Sequence, residues 1–486
     1  MKTFTKSFMI LLIACISLPL SAQDKLLGNI KFPNSGAPEA QKDFIQGVLF
    51  LHNFEYADAA RSFKKAREKD PEFALAYYGE AKSHNHPIWM EQDRDAAMEV
   101  LNQLGATPAE RKAKADTERE KDYLHSLEIL YGNTPETNGL SKEKRDLAYM
   151  QYMAELHEKY PEDDEITSFY GLSILGSAHE GRDFRIYMRA AAVLFNVWND
   201  NQKHPGAAHY LIHSFDDPTH APLGLPMARA YSEIAPAAAH AQHMTSHIFL
   251  AMGMWDDVIN ANIVARNVQT TRQKELNEST TVCGHYPWWL QYGYMQTGEI
   301  EKAGQVLNTC YERIQEDPSS GELWHFAIMR GHQIVDSEDW SAIDEWTADI
   351  GSNSPGDRNY LFTKAYASLM SGKAEQARMA LSNLMEIDSD DPELQIQRDQ
   401  IKALMLIEEG NTKEGLSLLE KAVEVESKLP IAFGPPTIIK PSLELYGDVL
   451  LDMGRKAEAA EAYNGQLQRT PERRRSMMGH EKAVGS

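Results

Sequence analysis

The stretch AQKDFIQGVLFLHNFEYADAARSFKKAREKDPEF, residues 40–73, places small, aromatic and helix-ending residues at fixed spacing. The positions that define the pattern are Gly47, Phe50, Ala59, Phe63, Ala66 and Pro71. Small residues allow two helices to approach closely, aromatic residues fill the groove between neighbouring pairs, and the proline ends the second helix. The stretch therefore predicts a pair of antiparallel helices that packs against further pairs.

The same pattern returns at the C-terminal end, in a unit that starts near Lys440 and carries Gly447, Ala459, Tyr463 and Pro471. Weaker copies between the two ends each combine a helix-breaking glycine with an alanine-containing second helix, as at Gly298 and Ala303. In these features the chain resembles the tetratricopeptide repeat (TPR) superfamily. The resemblance implies an all-α fold, a solenoid of TPR-like helical hairpins wound into a right-handed superhelix.

We divide the chain by these repeats and by the segments that interrupt them. The expected segments are a signal peptide at 1–22, N-terminal TPR-like units at 23–104, a charged helical insertion at 105–145, central histidine-rich units at 146–290, further units at 291–426, a proline-rich loop at 427–441, and a C-terminal unit and tail at 442–486.

The N-terminal segment has the features of an export signal. Lys2 and Lys6 precede an apolar run at 8–20, and small residues follow up to Ala22, after which we expect cleavage. The residues before Cys15 also resemble a bacterial lipobox, so a lipid anchor at Cys15 is the alternative. Either reading predicts an exported protein, periplasmic or associated with the cell envelope, without a transmembrane helix in the mature chain.

Charge and cysteine content narrow the classes of partner. The formal net charge of -22 argues against nucleic-acid binding, which requires a basic surface. Cys283 and Cys310 remain after processing, at the start of one expected helix and the end of its antiparallel partner. A bridge between them is possible in an oxidising compartment, but we expect two buried free thiols.

Histidines recur in phase with the repeat. His179, His213 and His247 are each 34 residues apart, and His209 and His243 repeat the same step four residues earlier. We phase the central units as 171–204, 205–238 and 239–272. The stretches HPGAAHYLIH at 204–213 and HAQHMTSHIF at 240–249 resemble a group of uncharacterised exported bacterial TPR proteins. The superfamily resemblance implies that these histidines face a concave groove, where TPR proteins bind ligands.

The spacing indicates a metal site. Histidines four residues apart share one helix face, and neighbouring helices about 8–10 Å apart can bring their rings to one ion. Neutral imidazole suits zinc, copper or iron. The expected ligands are His209, His213, His243 and His247, followed by His179 and His240. Carboxylates near them in sequence could orient the rings from behind: Glu180, Asp216, Asp217 and Glu233.

Other residues are placed in or outside the groove by the same phasing. The further groove candidates are Asn85, His86, His285, Trp288 and Tyr292. The remaining histidines have no partner at ligand spacing, and we expect them to be structural or exposed: His52, His125, His157, His325, His332 and His480.

Three functions remain open from the sequence. The favoured one is an exported binding protein with a histidine-coordinated transition metal in its groove. The alternatives are a metal-free scaffold that binds a peptide or protein partner, and an oxidative or hydrolytic metalloenzyme using the same histidines. The metalloprotease motif needs Glu after its first histidine, where Tyr210 and Met244 stand here, so that class is excluded.

Overall fold

The computed structural model describes residues 26–351, 354 and 356–485. The expected signal peptide and the lipid-anchor candidate Cys15 lie outside the described residues. The described part of the chain contains these α-helices: α1 Pro38–His52, α2 Tyr56–Lys69, α3 Ala74–Lys82, α4 Arg94–Leu104, α5 Pro108–Ala113, α6 Glu118–Leu130, α7 Lys142–Lys159, α8 Asp164–Leu175, α9 Phe184–Asp200, α10 Pro205–Phe215, α11 Ala221–Ile234, α12 Ala239–Ala251, α13 Trp255–Glu275, α14 His285–Thr297, α15 Ile300–Arg313, α16 Ser320–Ser337, α17 Asp357–Met370, α18 Ala374–Glu386, α19 Pro392–Glu408, α20 Thr412–Lys428, α21 Ser442–Asp452, α22 Lys456–Arg469 and α23 Arg474–Val484.

Consecutive helices pack as antiparallel hairpins, for example α1 with α2, α10 with α11 and α12 with α13. The first helices of successive hairpins also contact one another: α8 contacts α10, and α10 contacts α12. The only sheet among the described residues is a small antiparallel pair, β1 Asn85–His86 with β2 Glu91–Gln92. The prediction of an all-α, TPR-like solenoid of helical hairpins is confirmed.

The small and aromatic residues of the sequence pattern fit together as expected. The ring of Phe63 lies between Gly47 of its own unit and Gly79 of the next. A Cβ atom added at Gly47 would come within 2.8 Å of that ring, and one at Gly79 within 2.3 Å. Any larger residue would therefore push the helices apart. The same arrangement recurs at the C-terminal end with Gly447, Tyr463 and Gly479.

The interior of the superhelix is filled by the chain itself. Helix α1 packs against α10, and α23 packs against α14, so both ends of the array reach the central hairpins. Every residue of α10 is buried, as are all but two of α12. The loop between α20 and α21 also enters, and its Pro436 carbonyl accepts a hydrogen bond from His332 Nε2 at 3.1 Å. Polar residues on these inner helices are therefore held away from bulk water.

The segment at 105–145, expected as a charged helical insertion, contains the helices α5 and α6, and α6 packs against both α3 and α7. The expectation of free thiols is wrong, because Cys283 and Cys310 form a disulfide. Cys283 precedes α14 and Cys310 lies near the end of α15, so antiparallel packing brings them together. None of the described helices is long and apolar enough to cross a membrane.

Candidate metal centre

Six histidines from three successive inner helices converge in the centre of the array. Helix α10 supplies two, α12 supplies three and α14 begins at the sixth. Spacings of three and four residues put the rings from one helix on the same face. Their ring nitrogens form two groups, each with its ligand atoms within 4.8 Å of one another. We name them triad A, comprising His209, His213 and His240, and triad B, comprising His243, His247 and His285.

The hydrogen bonds around triad B identify the protons on two of its rings. His247 Nδ1 lies 2.7 Å from Asp216 Oδ2, and His243 Nδ1 lies 2.8 Å from Asn262 Oδ1. Both oxygens only accept, and Asn262 Nδ2 donates to the carbonyl of Val258 at 2.8 Å, which fixes the orientation of the amide. Each Nδ1 therefore carries a proton. In a neutral imidazole, this leaves a lone pair on Nε2.

Those Nε2 atoms face each other. The Nε2 atoms of His243 and His247 are 3.2 Å apart, and His285 Nε2 lies 2.9 Å from that of His243. With its proton on Nδ1, neutral His247 has none on Nε2 to donate to His243, so a proton on His285 Nε2 would satisfy one of the two contacts and leave the other as two facing lone pairs. A metal ion between the three nitrogens satisfies all of them at once. With metal–nitrogen bonds of about 2.0–2.1 Å, ligand nitrogens lie about 3.3 Å apart at tetrahedral angles and about 2.9 Å apart at right angles.

Triad A has a similar arrangement around a different helix pair. His209 Nδ1 donates to the backbone carbonyl of His52 at 2.7 Å, so its Nε2 carries the lone pair. That Nε2 lies 3.2 Å from His240 Nε2. The ring of His213 is 4.9 Å from the ring of His209, and its buried Nε2 has no hydrogen-bond partner among the described residues. A buried nitrogen without a partner is costly, which makes it a candidate ligand.

Burial keeps most of these rings neutral. It lowers the pKa of His209, His213, His240 and His243 well below the usual value, and neighbouring imidazoles lower each pKa further. Neutral imidazole is the form that binds metals. The cluster is therefore prepared for a cation but resists additional protons.

Aromatic side chains close the sides of the cluster. The Phe54 ring lies 4.2 Å from that of His209, and Phe54 adopts a φ of 55°, which is uncommon for a bulky residue. On the other side, the Trp289 ring lies 4.5 Å from that of His247. His285 is exposed, so the opening to solvent is at triad B. This environment excludes water from the inner rings while leaving one side accessible.

A third group of ligand-type residues lies nearby, formed by His52, Glu165 and His204. His52 Nε2 lies 2.7 Å from Glu165 Oε2, and His204 Nε2 lies 3.2 Å from Glu165 Oε1. His204 Nδ1 accepts from the backbone N–H of Ala207, and Tyr210 OH lies 2.9 Å from His52 Nδ1. Both Nε2 atoms thus donate to the carboxylate. We name this group the Glu165 network; its protons are accounted for without a metal.

Histidine 179 does not join either triad. Helix α8 ends at Leu175, so His179 lies in the following loop rather than on an inner helix face. Its Nε2 is 3.2 Å from Asp146 Oδ2. The phasing of the unit at 171–204 differs from the structure because α8 begins at Asp164, several residues before the expected start.

The five groove candidates are also separated by the structure. His285 belongs to triad B, and Trp288 is buried with its ring 6.0 Å from the ring of His285. Tyr292 is buried farther along α14, where its OH accepts from Arg473 Nη1 at 3.0 Å. Asn85 and His86 form strand β1, because α3 ends at Lys82 and does not carry them on an inner helix face.

The sequence expectations missed some of the partners of the central histidines. His52, expected to be structural or exposed because it has no partner at ligand spacing, is buried and belongs to the Glu165 network. Asn262, which orients His243, was not singled out. Asp216 was one of the carboxylates expected behind the rings, and it does contact His247; Asp217 instead lies 2.8 Å from His220 Nδ1. Sequence spacing contains no signal for His52, because Glu165 and His204 lie on distant hairpins.

Comparisons with known proteins find only solved structures of low sequence identity to this chain. No protein-family model matches the chain, and no curated protein matches it. Similar solved structures include yeast Tom70, with 13% identity, a TM-score of 0.36 and coverage of 92% of this chain and 96% of that chain. Another is a human IFIT1 dimer with PPP-AAAA, with 12% identity, a TM-score of 0.38 and coverage of 95% and 98%. TM-scores this low do not support an assignment of fold or function. The fold assignment therefore rests on the helical hairpins themselves.

Proposed function

We propose that this protein binds a transition-metal ion at triad B, inside a TPR-like solenoid, and that it does so after export to the periplasm or cell envelope. The observation that carries the proposal is the contact between His243 Nε2 and His247 Nε2 at 3.2 Å. Asn262 and Asp216 hold the Nδ1 protons of those two rings, so their lone pairs meet. An ion in this position explains the contact.

The donor set restricts the class of ion. Three imidazoles and no thiolate suit zinc, copper or iron better than calcium or magnesium, which prefer oxygen ligands. Asp216 behind His247 is the arrangement that orients metal-bound histidines in proteins. Zn²⁺ and Cu²⁺ are therefore the appropriate first probes.

A metalloenzyme is the second candidate, favoured by one observation. Three protein ligands leave a coordination position for water or substrate, and the exposure of residue His285 puts triad B at the solvent side of the cluster. Such an ion could activate water or polarise a substrate oxygen. A protein or peptide partner at the rim of the array remains compatible with either version.

The test measures metal content in protein purified without a histidine tag, stripped with chelator and reconstituted with Zn²⁺ or Cu²⁺. We expect tightly bound metal in the parent and a loss of at least one ion per chain in the double variant His243→Ala/His247→Ala. The matched control is His125→Ala/His157→Ala, which removes two histidines outside both triads. Equal metal content in the parent and in the triad B variant would rule out the site.

A further inference from the structure

The second group of histidines is as complete as the first. We propose that triad A binds a second transition-metal ion beside the one in triad B, so that the six histidines form a two-ion centre. This inference rests on the proposed function, because it assigns the same chemistry to the neighbouring rings. It predicts a stoichiometry of two ions per chain.

The protons of triad A support an ion there. The backbone carbonyl of His52 accepts the Nδ1 proton of His209, so the lone pair on His209 Nε2 points toward His240 Nε2 at 3.2 Å. A proton on His240 could satisfy that one contact. It would leave the buried Nε2 of His213 without a partner. A metal ion that takes one nitrogen from each ring would give all three nitrogens a partner.

One ion cannot serve all six rings. Two nitrogens bound to the same ion lie at most about 4.2 Å apart, which is twice a metal–imidazole bond of about 2.1 Å. The ring nitrogens fall into two groups of three rather than one group of six. Between the groups, the ring centroids of His213 and His247 are 6.1 Å apart, and those of His240 and His243 are 6.2 Å apart. The geometry is that of two neighbouring sites.

Two divalent ions this close repel each other, and neutral imidazoles do not offset their charge. One acidic side chain lies behind each triad. Glu55 Oε1 accepts the backbone N–H of His240 at 2.9 Å, and Asp216 Oδ2 accepts from His247 Nδ1. Neither is one of the six ligands.

The experiment counts Cu²⁺ ions in the full-length protein and records their electron paramagnetic resonance spectrum. We expect two ions per chain in the parent, with spectra broadened or weakened because two neighbouring Cu²⁺ ions couple magnetically. His213→Ala should reduce the count to one and leave the spectrum of an isolated Cu²⁺ ion. His247→Ala should also leave one isolated ion, and the double variant should leave none.

The outcomes separate the two proposals. One ion per chain in the parent, lost in His247→Ala and unaffected by His213→Ala, would overturn the second ion and leave the proposed function standing. No bound ion in the parent would overturn both. If His213→Ala fails to fold, His240→Ala tests the same ion from the less buried side of triad A. The His125→Ala/His157→Ala protein sets the background from histidines outside the triads.

Discussion

Triad B and the Glu165 network are two groups of three residues that can bind metal; the Glu165 network is fully buried, whereas triad B is exposed at His285. Both bring their ligand atoms within 4.8 Å of one another, and both lie on inner helices of the array. In the Glu165 network, each Nε2–H has a carboxylate oxygen as acceptor. In triad B, Nε2 atoms meet other Nε2 atoms, while Asp216 and Asn262 hold the remaining protons.

The difference shows that proximity alone does not identify a metal site. A carboxylate between two histidines can complete a hydrogen-bonded network, and an ion there would have to displace two protons. The histidines of triad B share no such acceptor for their Nε2 atoms. The positions of protons, inferred from the partners of each Nδ1, therefore distinguish a structural group from a candidate ligand set.

The largest difference should appear in stability without metal. Glu165→Gln replaces the buried charge that accepts two N–H donors with a neutral amide, and we expect it to lower the free energy of unfolding by about 3 kcal/mol, because two hydrogen bonds to a charged group are weakened. His285→Gln, at the exposed side of triad B, should cost less than about 1 kcal/mol in the same metal-free protein. Urea denaturation measures both. Similar losses in the two variants would remove the distinction between the groups.

The next effect is the response of stability to metal. Zn²⁺ at about 100 times its dissociation constant should raise the free energy of unfolding by about 2.7 kcal/mol for each site that it fills. The shift should become smaller in His243→Ala/His247→Ala. It should persist in Glu165→Gln, provided that this variant folds at the temperature of the assay. A shift that disappears only in Glu165→Gln would place the metal at the Glu165 network and contradict binding at triad B.

The carboxylate behind triad B should tune affinity rather than create the site. Asp216→Asn keeps the side-chain volume but removes the negative charge that accepts from His247 Nδ1. We expect Zn²⁺ affinity at triad B to fall about 10- to 100-fold by isothermal titration calorimetry. Asp217→Asn is the matched control, because this neighbouring carboxylate is also buried but contacts His220 instead. Equal losses in both variants would indicate a general electrostatic effect.

The smallest effect is the contribution of His52 to the pH dependence of the metal-free protein. Burial lowers the pKa of His52 despite the opposing influence of Glu165. As pH falls below 6.5, the unfolded chain therefore takes up a proton at this position before the folded chain, and His52 alone contributes a loss of stability on the order of 1 kcal/mol between pH 7 and pH 5. The buried rings of His209, His213, His240 and His243 add losses of the same sign. His52→Gln should show a shallower decrease in urea denaturation. A parent protein that gains stability over this interval would contradict the sign.

At lower pH, the carboxylate of the same network should titrate. Burial alone would raise the pKa of Glu165, but His52 and His204 outweigh it and lower the pKa to about 2. Its contribution to stability is therefore complete above about pH 4.5 and is lost as pH falls toward 2. This interval lies below the one in which His52 acts, so the two contributions can be measured separately.

Much of the fold could be predicted from the sequence because a local spacing repeats. The pattern of Gly47 and Phe63 reports how closely two helices pack, and the structure places that aromatic ring between glycines of successive units. The hairpins expected at 205–238 and 239–272 correspond to α10–α11 and α12–α13. Where loops change length, the phase no longer predicts the position of a side chain. His179 was misplaced for this reason.

The candidate site was only partly predictable for a different reason. Spacing of four residues indicated which rings share a helix face, and five of the six expected histidines do lie in the two triads. The division into two triads depends on how rings from different helices are placed relative to one another, and the spacing of residues in the sequence does not determine this. The closing of α1 onto α10 likewise brings the carbonyl of His52 to His209, across 157 residues of chain.

The disulfide has a consequence for where this protein can mature. Cys283 lies two residues before His285, and its bond to Cys310 fastens the incoming segment to the far end of the next helix. Reduction would release that segment and, with it, the only triad B ligand not carried by α12. If triad B binds the proposed ion, thiol chemistry and metal loading are linked in time: a reduced chain would present two fixed imidazoles, and the third would be secured only once an oxidant had acted.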